Sequence, residues 1–176
     1  SDRVAQMRNL PKGIDQRSSC RHPDWTGPDD LEIKILELRE ITSWKVPIYL
    51  KIAGARPYFD TALAVKAGAD VVVLDGMQGG TAATQDVFIE HVGLPTLACI
   101  RESVRALQDL GVHRDVQLVV SGGIRNGADV AKAIALGADA VSIGTAALIA
   151  IGDNDPKWEE EYQKLGTTAG AYDDWH

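Results

Sequence analysis

The sequence predicts an α/β fold, built on a parallel sheet that is covered on both faces. Short apolar runs alternate along the chain with segments of helical character. The runs are continuously hydrophobic, which is typical of parallel strands that are buried on both sides. Two of them, ending at Ser121 and Gly144, break into small residues that open a helix, as strands do in βα units.

The individual elements follow in order from residue 28. Pro28 stands at a helix start, Asp29 and Asp30 favour the positive end of the helix dipole, and Leu31 and Ile35 belong to an apolar stripe. This pattern predicts an amphipathic helix. We then predict strands over Pro47–Ala53, Val71–Asp75, Thr96–Ile100, Gln117–Ser121 and Ala140–Gly144, with helical segments near 58–67, 83–92, 101–110, 127–136 and 145–151.

An internal repeat favours a barrel over an open sheet. Residues 67–74 (AGADVVVL) match residues 136–143 (LGADAVSI), and in each copy a glycine ends a helix before Ala-Asp enters a strand. A displacement of about two βα units suits a (β/α)8 TIM barrel, and a doubly wound sheet is the alternative. A complete barrel takes about 250 residues. We therefore expect these 176 residues to be a piece of a longer protein that holds the barrel's C-terminal half.

Three segments divide the chain. Residues 1–27 are polar and interrupted by prolines and glycines, which predicts an ordered loop region leading into the barrel. Residues 28–152 hold the βα units of about five parallel strands. Residues 153–176 are predicted as an irregular tail. Because the end strands of such a piece would be unpaired, we expect it to be unstable or prone to aggregation in isolation.

Composition limits the classes of function. A chain with 45% hydrophobic and 24% charged residues is typical of one globular unit. Its net charge of −7 and the lack of Lys or Arg runs argue against a nucleic-acid or membrane partner. Cys20 and Cys99 are too few for a disulfide framework and have no metal-ligand spacing. With no apolar run as long as a membrane span, we expect a cytoplasmic protein.

Two glycine turns predict a phosphate site. Gly122-Gly123 and Gly144-Thr145 follow the last two predicted strands, which would be strands seven and eight of a barrel. Loops at these positions commonly bind phosphate through backbone N–H groups and a helix N-terminus. Glycines that only permit tight turns are the alternative. Two adjacent turns of this kind favour the phosphate site.

A lysine and a glycine-rich loop add further candidates. Lys51 interrupts an apolar run, where a charge is costly without a partner. It is either a solvent-facing edge residue or a cation in the barrel mouth, where it would stabilise negative charge on a cofactor or substrate. The loop after Asp75 is either flexible or a close approach to a flat ligand. Arg17, Arg21, His22 and Arg125 are candidates for positive charge at the mouth.

Taken together, these motifs resemble the FMN-dependent synthase domain of the glutamate synthase family. The resemblance covers residues 8–152. Its motifs appear in the family's order as Pro11-Lys12-Gly13-Ile14-Asp15 with Ser18, His22 and Asp24, then Leu50-Lys51-Ile52, Gly79-Gly80-Thr81-Ala82-Ala83, Gly122–Val130 and Gly144–Ala150.

The resemblance implies an oxidoreductase that binds FMN and forms an amino acid through an imine of 2-oxoglutarate. Lys51 would lie between the flavin and the 2-oxo acid, and Ser18 and His22 would bind substrate with it. Glutaminase-like and other synthase subunits would be its partners in an oligomer. The remaining cofactor-binding residues implied are Gln78, Gly79, Gly80 and Thr81 at the flavin, with Ser121, Gly122, Gly123, Gly144 and Thr145 at the phosphate.

Two departures from the family pattern bear on the reaction. Ala82 replaces the third glycine of the loop. Asp153 stands where the family has the first cysteine of a [3Fe-4S] cluster, and no cysteine follows it. The chain therefore looks like the cluster-less branch, which includes the flavin subunit of methylamine–glutamate N-methyltransferase (N-methylglutamate synthase).

Other readings stay open. One is an authentic glutamate synthase. Another is a related phosphate-binding barrel, such as an IMP dehydrogenase or a hydroxy-acid oxidase. A half-barrel that binds FMN or phosphate without turnover is the third.

Overall fold

Four parallel strands form one sheet in a computed structural model that describes residues 2–7, 9–14, 22–79 and 86–152. The strands lie side by side in chain order, β1–β2–β3–β4. They are β1 Tyr49–Ala53, β2 Val71–Asp75, β3 Gln117–Ser121 and β4 Ala140–Ser142. Consecutive strands are neighbours with a helix between them, as in a barrel, whereas a doubly wound sheet reverses its strand order. The α/β class and the partial (β/α)8 architecture are confirmed.

Seven helices occur in the described part of the chain. They are α1 Asp2–Met7, α2 Pro28–Ile41, α3 Pro57–Lys66, α4 Asp86–His91, α5 Thr96–Asp109, α6 Gly127–Leu136 and α7 Thr145–Ala150. The predictions for α2, α3, α6 and α7 are confirmed within one or two residues. Among the described residues, no helix has the length and apolar character that crossing a membrane requires.

One predicted strand is wrong. Thr96–Ile100 is the start of α5, so the described sheet has four strands where we predicted about five. A short apolar run does not distinguish a strand from a buried stretch of helix. The pattern that identifies a helix extends over a longer stretch. Cys99, Ile100, Val104 and Leu107 recur at helical spacing and are all buried.

Local structure differs from the prediction at two other places. The segment 1–27, predicted as a loop, contains the short helix α1. The last strand, predicted to reach Gly144, ends at Ser142. The division of the chain into 1–27, 28–152 and 153–176 stays a prediction, and residues 153–176 lie outside the described residues.

One face of the sheet packs on α3, α5 and α6. Leu74, Leu118 and Val120 are fully buried there against residues such as Ile100 and Val104 of α5. Successive side chains of a strand point to opposite faces. The residues next to these in sequence therefore occupy the other face of the sheet, which corresponds to the inside of a barrel.

The Gly-Ala-Asp repeat builds the same contact twice, which we call the aspartate latch. Asp70 donates its backbone N–H to the carbonyl of Ile48 (3.0 Å), and its carboxylate accepts the N–H of Ile48 (2.6 Å). Asp139 and Leu118 make the same exchange at 2.9 and 2.7 Å. Each latch joins the residue before one strand to the beginning of the neighbouring strand.

Arg39 of α2 reinforces the first latch. Its guanidinium lies 2.9 Å from the Asp70 carboxylate and 2.7 Å from the carbonyl of Gly68. Burial of Asp70 opposes its charged form, but the hydrogen bonds from Arg39 and the Ile48 N–H outweigh that effect and lower the pKa of Asp70. The same helix covers a second apolar cluster of Leu31, Ile35, Ile48 and Ala67.

Replacing Gly137 with alanine should destabilise the fold by about 1–3 kcal/mol. Gly137 has a φ of +111°, and a Cβ there would lie 2.9 Å from Cγ2 of the buried Val104. The matched control is Gly111→Ala, because Gly111 has a φ of +73° with nothing within 4 Å of its Cβ position. A larger loss of thermal stability for the first variant is expected. Equal losses of thermal stability in the two variants would show that the close approach of the new Cβ to Val104 adds no cost.

Candidate cofactor and substrate site

Three polar side chains from adjacent strands meet at the carboxyl end of the sheet. The Lys51 ammonium lies 2.7 Å from Asp75 Oδ2. The Ser121 hydroxyl donates to Asp75 Oδ1, also at 2.7 Å. The register places Ala53, Asp75 and Ser121 in one row across β1, β2 and β3. One carboxylate thus joins the lysine of β1 to the end of β3.

Lys51 has the partner that its position in an apolar run requires. Its side chain is 65% exposed, whereas that of Asp75 is only 18% exposed. Because Lys51 alternates with the half-buried Leu50 and Ile52, it occupies the face opposite the helices. The ammonium therefore stays accessible to a ligand while one carboxylate fixes its direction.

The glycines near this carboxylate are required by the protein's own packing. A Cβ at Gly79 would overlap the Asp75 carboxylate. A Cβ at Gly122 would lie 2.8 Å from the backbone N of Gly79 and 3.1 Å from Asp75 Oδ1. A Cβ at Gly123 would lie 3.0 and 3.2 Å from Cβ and Cγ of Gln78. The loop after β2 and the turn after β3 are therefore packed directly against each other.

Gln78 serves a role that the sequence did not reveal. Its carbonyl oxygen accepts the backbone N–H of Thr96 at 2.8 Å and lies 3.0 Å from the Thr96 hydroxyl. Pro95 at the N-cap position of α5 makes no side-chain cap. Gln78 therefore caps α5 from the neighbouring loop, and its place among the cofactor-binding residues stays a prediction.

The turn after β3 presents backbone donors. Gly122 and Gly123 have φ values of +95° and +71°. No residue that the structure describes accepts a hydrogen bond from the N–H of Gly122, Gly123 or Ile124. Such a run of N–H groups is suited to an anion.

The first turn of α6 is largely satisfied by the protein itself. The Asn126 side chain accepts the N–H groups of Ala128 and Asp129 at 3.0 and 3.1 Å. The backbone N–H and the guanidinium of Arg125 both donate to Asp129, and these bonds lower the pKa of Asp129. An anion at this turn would therefore rely on the glycine N–H groups more than on the helix terminus.

Gly144 and Thr145 lie one strand further along. Strand β4 pairs with β3 in parallel, and Ser142 is the partner of Ser121. The glycine turns that follow both strands therefore leave the same end of the sheet. Gly144 is the N-cap of α7, is exposed, and has nothing within 4 Å of its Cβ position.

Two further residues considered in the sequence, His22 and Cys99, make other contacts. His22 is exposed, stacks on Trp25 with ring centroids 3.9 Å apart, and accepts the Asp24 N–H. Cys99 is fully buried, which raises the pKa of its thiol. In the ranges that the structure covers, no group of three His, Cys, Asp or Glu residues could hold a metal ion. Arg17, Ser18, Arg21, Gly80 and Thr81 lie outside the described residues.

Asp75 is the functional residue that sequence reasoning missed. It contacts Lys51, Ser121 and the backbone of Gly79, which were all named as candidates. A signal was present, because Asp75 ends the strand between the two that carry Lys51 and Ser121. This signal can be used only when the three strands are known to be adjacent.

Comparisons with known proteins agree on one family. A family model described as the conserved region in glutamate synthase matches residues 1–155. A glutamate synthase large subunit-like protein of Rhizobium meliloti is 88% identical over 176 residues, which are the whole chain and 40% of that protein. An archaeal glutamate synthase (NADPH) of Methanocaldococcus jannaschii is 42% identical over 150 residues, covering 85% of the chain and 29% of that protein.

A solved structure gives the same architecture. A mutant flavocytochrome b2 with pyruvate bound superposes with a TM-score of 0.53 at 27% identity, over 82% of the chain and 32% of that structure's chain. The chain thus spans two fifths or less of the relatives and of the structure that it matches.

Proposed function

The chain belongs to the glutamate synthase family, and on that basis we propose that it forms the FMN- and 2-oxo-acid-binding half of an amino-acid synthase barrel. The observation that carries this proposal is the Lys51–Asp75–Ser121 cluster beside two glycine turns at one end of the sheet. A cation and backbone anion donors thus share the end of the sheet where barrel enzymes place their active sites.

The described residues fit a phosphate group. The N–H groups of Gly122, Gly123 and Ile124 would donate to it, and the open space at Gly144 admits it from the neighbouring turn. The loop of Gly79, with Gly80 and Thr81, would line the flavin ring. FMN, when bound and reduced, would supply hydride for the reduction of an imine.

Lys51 is proposed to bind the 2-oxo acid. Its ammonium is accessible and directed by Asp75, so it can pair with a substrate carboxylate or stabilise charge on the substrate oxygen. The pyruvate in the flavocytochrome b2 structure is also a 2-oxo acid, which supports this class of substrate. Ser18 and His22 remain proposed substrate contacts on the basis of the family pattern.

The finer proposal concerns the amine. Residues 153–176 contain no cysteine, so this segment offers no thiolates for a [3Fe-4S] cluster. We take this as support for the cluster-less branch, in which methylamine replaces ammonia and the product is N-methylglutamate. Authentic glutamate synthesis from 2-oxoglutarate and glutamine-derived ammonia is the alternative. The relatives' greater length supports further domains or subunits as partners. Glutaminase-like subunits and a cytoplasmic oligomer are proposed on the family pattern alone.

Assay of the longest native chain with its partners tests both the family chemistry and the choice of amine. We expect a yellow protein with bound FMN that converts methylamine and glutamate to N-methylglutamate and ammonia faster than it forms glutamate from glutamine and 2-oxoglutarate when a two-electron reductant is supplied. The reverse preference would overturn the methylamine proposal and keep the family chemistry. A colourless protein with no turnover of either set would indicate a half-barrel module and contradict the proposed function.

A further inference from the structure

Asp75 lies at the centre of the candidate site without having been assigned a role. Its two carboxylate oxygens have different partners, with Oδ2 on the Lys51 ammonium and Oδ1 on the Ser121 hydroxyl. The backbone of Gly79 packs against the same group so closely that a methyl group there would overlap it. This carboxylate therefore has little freedom to move.

The three partners of Asp75 belong to three different proposed functions. Lys51 is the proposed substrate cation, Gly79 is in the proposed flavin loop, and Ser121 precedes the proposed phosphate turn. The Gly122 Cβ position lies 3.1 Å from Asp75 Oδ1, so this turn is also packed on the carboxylate. A single side chain thus sets the relative positions of these three parts.

The difference in exposure indicates which member of the ion pair controls the other. The Lys51 side chain is 65% exposed and has four rotatable carbon bonds, whereas Asp75 is 18% exposed and held on three sides. An exposed lysine of this kind would otherwise sample many rotamers. The less exposed carboxylate of Asp75 restricts the Lys51 ammonium to the end of the sheet.

We propose that Asp75 is the positioning residue of this site, and that it acts through Lys51 by holding the ammonium where the 2-oxo acid binds. The inference rests on the proposed function, since it assigns Asp75 a part in that same reaction. Asp75 itself does not contact the substrate in this proposal.

A double-mutant cycle on the full-length flavin-loaded enzyme tests the inference. Asp75→Asn keeps the shape of the side chain and an oxygen for Ser121, but removes the charge that holds Lys51. We expect kcat to fall roughly 10- to 100-fold, as for a misplaced catalytic group, with the flavin content retained. The double variant with Lys51→Ala should be no slower than Lys51→Ala alone, within about twofold.

Asp60→Asn is the matched control. Asp60 lies in the first turn of α3, is 22% exposed and pairs at 2.8 Å with the exposed Arg56, not with Lys51. It should leave kcat unchanged. A crystal structure of the Asp75→Asn enzyme gives a readout besides activity, in which the Lys51 ammonium should have left its position beside residue 75.

The outcomes separate the inference from the proposed function. A wild-type enzyme without flavin or turnover would overturn both. If the wild-type enzyme is active and the losses of kcat caused by Asp75→Asn and Lys51→Ala multiply in the double variant, Asp75 acts independently of Lys51. That result would overturn the inference and leave the proposed function in place. An Asp75→Asn enzyme that is faster than wild type would also overturn the inference, since the carboxylate would be withholding the lysine from the substrate.

Discussion

Replacing Lys51 with alanine should reduce kcat of the full-length enzyme by roughly 100- to 1000-fold, the scale of losing one charge-stabilising group at a reacting centre. The lysine is the cation that the proposed site offers to the 2-oxo acid, and Asp75 directs it at 2.7 Å. Flavin content should stay near that of wild type, because the phosphate donors belong to the backbone of another strand's turn. Steady-state kinetics and the flavin-to-protein ratio measure the two effects.

Lys132→Ala is the matched control for this variant. The Lys132 side chain is 60% exposed and also lies near a carboxylate, 3.8 Å from Asp129, but it projects from α6. It should change kcat by less than about twofold, since exposed ion pairs contribute little. A Lys51→Ala enzyme that kept its wild-type kcat would contradict the role given to this side chain.

Replacing Gly122 with alanine should weaken flavin binding. The new Cβ would lie 2.8 Å from the Gly79 nitrogen and 2.9 Å from the Thr96 hydroxyl, at a φ of +95°. The left-handed conformation alone costs an L-residue about 1–2 kcal/mol. Relief of both problems requires the turn to move away from the Gly79 loop, and the N–H groups would no longer face one anion. We expect FMN affinity to fall roughly 10-fold or more.

The control for Gly122→Ala comes from the same segment. Gly127 begins α6 and has nothing within 4 Å of its Cβ position, so Gly127→Ala should bind FMN as wild type does. Flavin titration into the apo forms measures both affinities, and circular dichroism reports whether each variant is folded. A folded Gly122→Ala protein with full flavin occupancy would show that this turn does not hold the phosphate.

Most of the fold could be predicted because its signals are local. Pro28 at a helix start, the Gly-Ala-Asp repeats and the apolar runs of β2 and β3 each specify an element within a few residues. Thr96–Ile100 was misassigned because so short a run, in which only the four residues after Thr96 are apolar, fits either period. What makes this segment helical is its continuation through Val104 and Leu107 into the core.

The site was predictable in its parts but not in their connection. Lys51, Gly79 and Gly122 stand out as a charge in an apolar run and as glycines at strand ends. Their dependence on Asp75 is a tertiary property, because it arises only when three strands lie side by side. The cap that Gln78 gives to α5 is of the same kind, since it joins residues 18 positions apart through one loop.

The aspartate latches bear on how reliably this site assembles. If β1 were displaced by one residue relative to β2, Lys51 would point into the apolar layer between the sheet and the helices, where its ammonium group could not be solvated. The displacement would also set the Asp70 carboxylate opposite the wrong amide, so the hydrogen bond from the Ile48 N–H would be lost. The Asp70 latch therefore favours the register of β1 and β2 that places Lys51 on the face opposite the helices. The Asp139 latch favours the register of β3 and β4 in the same way.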